Sequence, residues 1–173
     1  MMNDLNATME HLPSSRHLLC CAFLLLFACS GCNLESDAKL KDIFDKNSGD
    51  FRQLESMSEQ DHHFQRIDFN LAMLDTGFPW SGNVQGFSEQ RWEEYRKLFR
   101  KLGLKAGIER QKGVPTIVFF YAQCEGTAIT HDCKGYAYSE NTLTPTKDSL
   151  DSLSPGVSFK PLLKNWYLFR DGG

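Results

Sequence analysis

The stretch Gln123–Cys133, QCEGTAITHDC, concentrates side chains that can do chemistry. Cys124, His131 and Cys133 could form a thiolate nucleophile with its base, a metal site or a disulfide. A nucleophile needs a reduced thiol with a lowered pKa, whereas a disulfide needs an oxidising compartment. The spacing alone leaves all three open, so the compartment in which the chain folds has to be established first.

The amino-terminal segment has the pattern of an export signal. Leu18–Cys29 is an unbroken apolar run that follows Arg16. It is shorter than a membrane-spanning helix but fits the apolar region of a signal peptide. Ser30 and Gly31 lead from this run to Cys32. The sequence ACSGC resembles the lipobox of bacterial lipoproteins, in which cleavage frees a cysteine that carries acyl chains.

The lipobox resemblance implies an address in the cell envelope. Residues 1–31 would be a lipoprotein signal peptide, and Cys32 the lipidated first residue of a mature chain 32–173. The acyl chains would anchor this chain permanently in a membrane. Asn33 after the cysteine favours the outer membrane of a Gram-negative bacterium, with the domain facing the periplasm. Cleavage would also separate Cys29 from Cys32, which excludes a C-x-x-C redox motif there.

Length and charge bound the class of protein. The chain has 173 residues, and residues 32–173 are enough for one domain but too few for two. A net charge of −3 and an export signal argue against nucleic acid as a partner. Residues 33–75 hold ten acidic and five basic side chains, and residues 91–112 hold eight basic and three acidic ones. The two segments either face each other or share solvated surfaces. Alternatively, the basic segment contacts an anionic lipid surface or partner.

Two stretches predict amphipathic helices. Residues 35–58 have helical composition interrupted at 47–50 by NSGD, which predicts two short helices joined by a turn. Part of residues 32–50 is expected to serve as a tether. The segment from Ser88 to Gly103 is clearer, because the serine can cap its start and the glycine can end it. Its apolar residues fall on one face at helical spacing: Trp92, Tyr95, Leu98, Phe99 and Leu102.

The second half of the chain predicts strands. Three apolar runs carry the prediction: 115–122 as a central strand, 135–139 as a half-exposed strand, and 157–170 with a turn at Lys164 and Asn165. Residues 66–73 are ambiguous between strand and helix, and 141–155 reads as a long loop. Helices followed by strands predict a single α+β domain with a small antiparallel sheet packed against the helices.

Two groups of side chains are candidates for a binding surface. The glycine-rich segment 75–86 reads as a loop. Phe78 and Trp80 within it either grip a sugar or a partner, or plug the core beneath the loop. The basic helix supplies the second group: Arg96, Arg100 and Lys101.

Three blocks of sequence carry a family resemblance. SEQRWEEYRKLFRKLGL, KGYAYS and KNWYLF resemble, in this order, blocks of a group of small, uncharacterised proteobacterial lipoproteins. The resemblance spans about Ser88–Phe169 and implies a Gram-negative envelope protein. Because no activity is assigned to that group, the resemblance transfers no catalytic residue.

The export signal decides among the interpretations of Gln123–Cys133. In the oxidising periplasm two thiols on the arms of a hairpin are expected to be joined. Cys124 and Cys133 are the only cysteines left once Cys32 is lipidated. A Cys–His nucleophile would need a thiol that stays reduced, and a metal site would need a fourth ligand. A disulfide is therefore predicted.

The remaining sequence favours a non-catalytic role. It contains no H-E-x-x-H, G-x-S-x-G, P-loop or G-x-G-x-x-G motif, and no cofactor or metal is expected. We expect an anchored envelope lipoprotein that binds another envelope protein or a glycan. One alternative is an immunity protein that neutralises a toxin in the periplasm. The other is an envelope hydrolase, with the 75–86 loop and His131 near a cleft.

Overall fold

The structure is a computed structural model that describes residues 34–74, 87–113, 116–126 and 131–173, all within the unit Leu34–Gly173. Its elements in chain order are α1 (Asp37–Gln60), β1 (Phe64–Ile67), β2 (Ala72–Leu74), α2 (Glu89–Leu102), β3 (Ile108–Gln111), β4 (Ile117–Gly126), β5 (His131–Tyr138), β6 (Gly156–Leu163) and β7 (Trp166–Gly172). Within these ranges, neither helix combines the length and the apolar character needed to cross a membrane.

The seven strands form one antiparallel sheet in the order β2-β1-β3-β4-β5-β7-β6. Each neighbouring pair is antiparallel. The predicted α+β class, a single domain with an antiparallel sheet and amphipathic helices, is confirmed. The run 115–122 contributes to β4, which is the middle strand, as its apolar character on both faces predicts.

Helix α1 consists of two helical stretches joined by a kink within the predicted interruption at 47–50. Ser36 caps it, because its hydroxyl accepts a hydrogen bond from the Lys39 amide. Asn47 has non-helical dihedrals (φ −125°, ψ 23°) at the predicted interruption, and its side-chain amide donates to the Ile43 carbonyl. Leu40 and Phe44 are buried in the core before the kink. Of residues 32–50, which could serve in part as a tether, those from Asp37 onward therefore belong to the packed domain.

Helix α2 matches its prediction at both ends and on its buried face. The Ser88 hydroxyl accepts from the Arg91 amide, and Gly103 ends the helix in the left-handed conformation at φ 69°. A residue with a Cβ atom would be strained at that φ, which explains the glycine. All five residues of the predicted apolar face are buried, namely Trp92, Tyr95, Leu98, Phe99 and Leu102.

Two apolar clusters lie on the two faces of the sheet. The helices and the sheet share the larger one, in which Phe51 packs on Phe120, Tyr136 and Trp166. The smaller cluster lies on the other face around Phe119 and Phe169, whose ring centroids are 4.8 Å apart. A half-exposed strand at 135–139 is therefore the wrong expectation, because β5 lies between two apolar clusters and is buried from Cys133 to Ala137.

The short strands on one side of the sheet were the hardest to predict. The ambiguous stretch 66–73 forms the end of β1, the hairpin and the start of β2. The sequence signals missed β3 altogether. Its four residues, IERQ, alternate in burial, but the run is too short and too polar to be distinguished from a loop.

The long loop that follows β5 wraps around the edge of the sheet. Leu143 is buried in the smaller cluster, and Leu150 is buried in the larger one on the opposite face. Between them, the Phe159 amide donates to the Pro145 carbonyl, and the Lys147 amide donates to the Phe159 carbonyl. The loop thus crosses the outer side of β6 and pairs with the middle of that edge strand, which blocks pairing with another chain there.

Candidate functional site

A groove runs between the second half of α1 and one end of the sheet. This end, called the groove end below, is where β4 begins at Ile117, β5 ends at Tyr138 and β7 begins at Trp166. The groove consists of two adjoining cavities of about 450 and 280 Å³, which share Glu55 and Tyr138 in their walls. It is large enough to hold several side chains of a bound chain.

The larger cavity takes its charged groups from three separate elements. Glu55 and Glu59 are four residues apart on α1, so both lie on the face that looks into the cavity. Arg110 comes from β3, and Glu140 follows the end of β5 at the start of the long loop. Strand register thus brings Glu140 and Arg110 to the same place although they are far apart in sequence.

The charge in this cavity is predominantly negative. Arg110 is its one buried cation, with 6% of its surface exposed. It donates to Glu59 Oε1 at 2.9 Å and to Ser58 Oγ at 3.0 Å. Burial raises the pKa of Glu55, and the negative charge of Glu59 adds to this; Glu140 acts in the same direction and Arg110 opposes it. Within the described part of the chain Glu55 has no hydrogen bond or ion pair.

The smaller cavity is more apolar and carries charge of the opposite sign. Phe44 and Trp166 line it from α1 and β7, and their ring centroids are 5.3 Å apart. Leu163 at the end of β6 is 62% exposed. Arg52 and Lys164 supply positive charge around these apolar groups. The whole groove therefore has an acidic half, an aromatic centre at Tyr138 and a partly basic half.

The groove offers charge and apolar contact rather than an evident nucleophile. Ser139 lines it, but its hydroxyl donates to the Thr116 carbonyl at 3.0 Å. In the ranges 34–74, 87–113, 116–126 and 131–173, no three His, Cys, Asp or Glu side chains are arranged to hold a metal ion. Recognition of a polar, charged ligand is the chemistry that these side chains support best.

The opposite end of the sheet carries the predicted disulfide and is called the disulfide end below. Cys124 and Cys133 are directly paired across β4 and β5, and their sulfur atoms are 2.12 Å apart. The predicted disulfide is confirmed. His131 lies at this end, exposed, with Nε2 3.3 Å from Asp171 Oδ2. It does not line the groove.

A buried ion network fixes the start of α1 at the disulfide end. Asp37 is 5% exposed and Lys134 is 1% exposed, and Lys134 Nζ lies 2.7 Å from Asp37 Oδ1. Lys134 also contacts Asp151 at 2.7 Å, and Lys160 lies 3.0 Å from Asp37 Oδ2. Burial alone would raise the pKa of Asp37, but hydrogen bonds from Lys134, the Leu150 amide and Lys160 outweigh it and lower the pKa to about 2.

The basic side chains predicted as a binding surface are engaged within the domain. Arg96 donates to the Phe69 carbonyl and to Glu89, and its guanidinium lies 4.4 Å from the centre of the Trp92 ring. Arg100 pairs with Glu93, and Lys101 pairs with Asp50 at 2.7 Å. A binding role for these residues stays a prediction, and any partner would have to compete with carboxylates already in place.

The uneven charge of the sequence is matched across the domain. Among the described residues, four ion pairs join the two segments, namely Asp50–Lys101, Glu59–Arg110, Asp61–Arg91 and Arg66–Glu109. The interpretation in which the two segments face each other therefore accounts for much of the pattern.

Cys32, Phe78 and Trp80 lie outside the described residues, and so does the whole 75–86 loop.

Sequence reasoning missed the groove itself. The spacing of Glu55 and Glu59 on a predicted helix was the one local signal that could have pointed to it. Comparison with protein-family models, with curated proteins and with solved structures found no match. Function is therefore inferred from the residues of this chain alone.

Proposed function

We propose that this protein is a membrane-anchored envelope lipoprotein whose domain is a non-catalytic binding module that uses the groove. The lipobox-like sequence supports anchoring through Cys32, and Asn33 supports the outer membrane. Only four residues separate Cys32 from Asp37, where α1 begins. Because an extended chain spans at most about 3.6 Å per residue, the anchor would hold the first turn of α1 within about 18 Å of the membrane.

The position of the groove at the far end of the sheet is the observation that carries this proposal. The Glu35 amide donates to Gln123 Oε1, and the Asp37 amide donates to Asp151 Oδ1. These two hydrogen bonds hold the start of the domain at the disulfide end. Glu55 lies eighteen residues further along α1, a path of about 27 Å along the helix. The anchored end would therefore face the membrane, and the groove would face the periplasm.

The composition of the groove supports binding over catalysis. Its carboxylates surround one arginine that is already paired, and its Ser139 hydroxyl is already hydrogen-bonded. His131, the residue on which a hydrolase was considered, lies at the other end of the sheet. The groove would be open to a partner in the periplasm. If the protein is an immunity protein, that partner would be a toxin.

One observation favours a hydrolase as the second candidate. Glu55 is a carboxyl group in a cleft with a raised pKa and like charges nearby, which is a common setting for a general acid. Release of labelled fragments from purified peptidoglycan by the wild-type protein, abolished in Glu55→Gln, would establish this alternative. Equal release, or none, by both proteins would exclude Glu55 as its acid.

Site-specific photo-crosslinking in intact cells tests the binding proposal. The full-length, lipidated protein carries a photo-reactive amino acid in place of Asn141, which is exposed and lines the groove. The matched control carries it in place of Asp148, which is exposed in the same loop but does not line the groove. We expect Asn141 to capture a defined ligand that Asp148 does not.

Membrane fractionation and a Cys32→Ser form complete the experiment. The wild-type protein should be recovered with the outer membrane and the Cys32→Ser form should not. Crosslinks equally frequent at both positions, or absent from Asn141, would contradict the groove as the binding site. Recovery of both forms in the soluble fraction would contradict anchoring.

A further inference from the structure

We infer that the groove receives a lysine or arginine side chain from a protein partner, inserted between Glu55, Glu59 and Glu140 with its aliphatic stem on Tyr138. This inference rests on the proposed binding function and names the chemistry of the ligand. The ligand that fits is a basic segment of a protein, with an apolar residue next to the inserted cation.

Charge complementarity is the first argument for a cationic ligand. Three carboxylates line the larger cavity, and the one arginine there is already committed to Glu59 and Ser58. Glu55 and Glu140 have no ion pair within the described residues. An ammonium or guanidinium group placed between them would relieve the repulsion among the carboxylates, whereas a phosphate or an acidic segment would increase it.

The shape and apolar lining of the groove are the second argument. Tyr138 and Glu55 both lie in the wall shared by the two cavities, so a side chain that reaches Glu55 can also contact Tyr138. Lysine and arginine bury their methylene stems on apolar surface while the charged group stays in a polar setting. Leu163 is one of only two large apolar side chains that are exposed in the described part of the chain, and it borders the smaller cavity. An apolar residue beside the inserted cation would cover it.

Two other surfaces among the described residues are already engaged within the domain. The edge of β6 is paired with the loop around Pro145 and Lys147, so a partner strand cannot add along the middle of it. Arg96, Arg100 and Lys101 have their own carboxylate partners. Among the described residues, the groove combines carboxylates that have no ion pair, Glu55 and Glu140, with the exposed apolar side chain of Leu163.

Three short peptides that differ at one position test the inference directly. The lipidated full-length protein in detergent micelles is titrated with acetyl-Leu-Lys-Leu-amide, and with the same peptide carrying norleucine or glutamate at the centre. Binding is followed by the chemical shifts of backbone amides. We expect the lysine peptide to bind about tenfold more tightly than the norleucine peptide at low salt, and the glutamate peptide to bind least.

Variants of the groove carboxylates assign the preference to this site. A double variant, Glu55→Gln with Glu140→Gln, should lose the preference for lysine, and Glu140→Gln alone should reduce it. The Glu140 change lies in an exposed loop, so it remains informative if the Glu55 change disturbs folding. Asp148→Asn removes the same charge away from the groove and should leave the preference unchanged.

The outcomes separate this inference from the function on which it rests. Equal binding of the lysine and norleucine peptides, or a lysine preference that survives the double variant, would overturn the inference. In that case a ligand captured by crosslinking at Asn141 would still support the binding function. A lysine preference abolished by the double variant but not by Asp148→Asn would support the inference.

Discussion

The two ends of the sheet use charge in opposite ways. At the disulfide end, Asp37 and Lys134 are almost fully buried, and each has partners at 2.7 to 3.0 Å. At the groove end, Glu55, Glu59 and Glu140 gather around a single arginine, and Glu55 has no partner within the described residues. The partners of Asp37 lower the pKa of its carboxyl group, whereas burial and the negative charge of Glu59 raise the pKa of Glu55.

The comparison teaches how to tell structural charge from charge that is open to a ligand. A buried ion is tolerated only when its partners replace the water that it has lost, and the network around Asp37 does this. Repulsion among half-buried carboxylates is a cost to the folded state that a bound cation would remove. Removing a charge at the disulfide end should therefore lower the stability of the fold. Removing a carboxylate at the groove end should weaken the binding of a cation without lowering stability.

Removal of Lys134 should have the largest effect. The variant Lys134→Met leaves Asp37 buried with only Lys160 and the Leu150 amide as partners, and we expect it to lower the free energy of unfolding by about 3–5 kcal/mol. Urea denaturation followed by circular dichroism measures the change. The control Lys41→Met breaks an exposed pair on α1 and should cost less than about 0.5 kcal/mol. Similar small losses in both variants would show that the network contributes little.

Loss of the disulfide should rank next. Replacing Cys124 and Cys133 by serine frees the β4–β5 connection in the unfolded chain, and we expect a loss of about 2–3 kcal/mol on the chain-entropy model. Mass spectrometry after alkylation checks the bond itself, because the wild-type protein should gain adducts only after reduction. Two adducts on the unreduced mature protein would contradict a disulfide in the cell.

Acid should weaken the disulfide end through Asp37. Its pKa falls from 3.8 in the unfolded chain to about 2 in the folded one. The stabilisation is therefore complete above about pH 4 and is lost as the pH falls through 2; it amounts to about 2 kcal/mol. The wild-type protein and Asp37→Asn should converge in stability over this window. A difference that stays constant down to pH 2 would exclude Asp37 as its source.

The matching change at the groove end should have the smallest effect and the opposite sign. A carboxyl group with a raised pKa is destabilised in its charged form at neutral pH. Glu55→Gln should therefore leave the free energy of unfolding unchanged or raise it by less than about 1 kcal/mol, since Glu55 is partly open to solvent. Urea denaturation at pH 7 compares it with Asp37→Asn. A loss as large as that of Asp37→Asn would mean that Glu55 has a stabilising partner.

A helix or strand was predicted most accurately where several local signals agreed. At α2 the Ser88 cap, the Gly103 stop and the apolar face all pointed to the same helix, and both ends were placed correctly. At β3 no signal was strong, and the strand was missed. The burial of β5 was underestimated because alternation in GYAYS shows one apolar face, while the aromatic cluster on the other face comes from β4, β6 and β7.

The sequence by itself determined the class of fold, the ends of α2, the central strand and the pairing of Cys124 with Cys133. Caps, periodicity and short hairpins act within a few residues, so their effect can be read along the chain. Only the tertiary structure decided which charges are compensated. The register of the sheet and the path of α1 across it pair Asp37 with Lys134 and place Glu55 in one cavity with Arg110 and Glu140. Electrostatic energy depends on distance in space, and sequence separation does not report that distance.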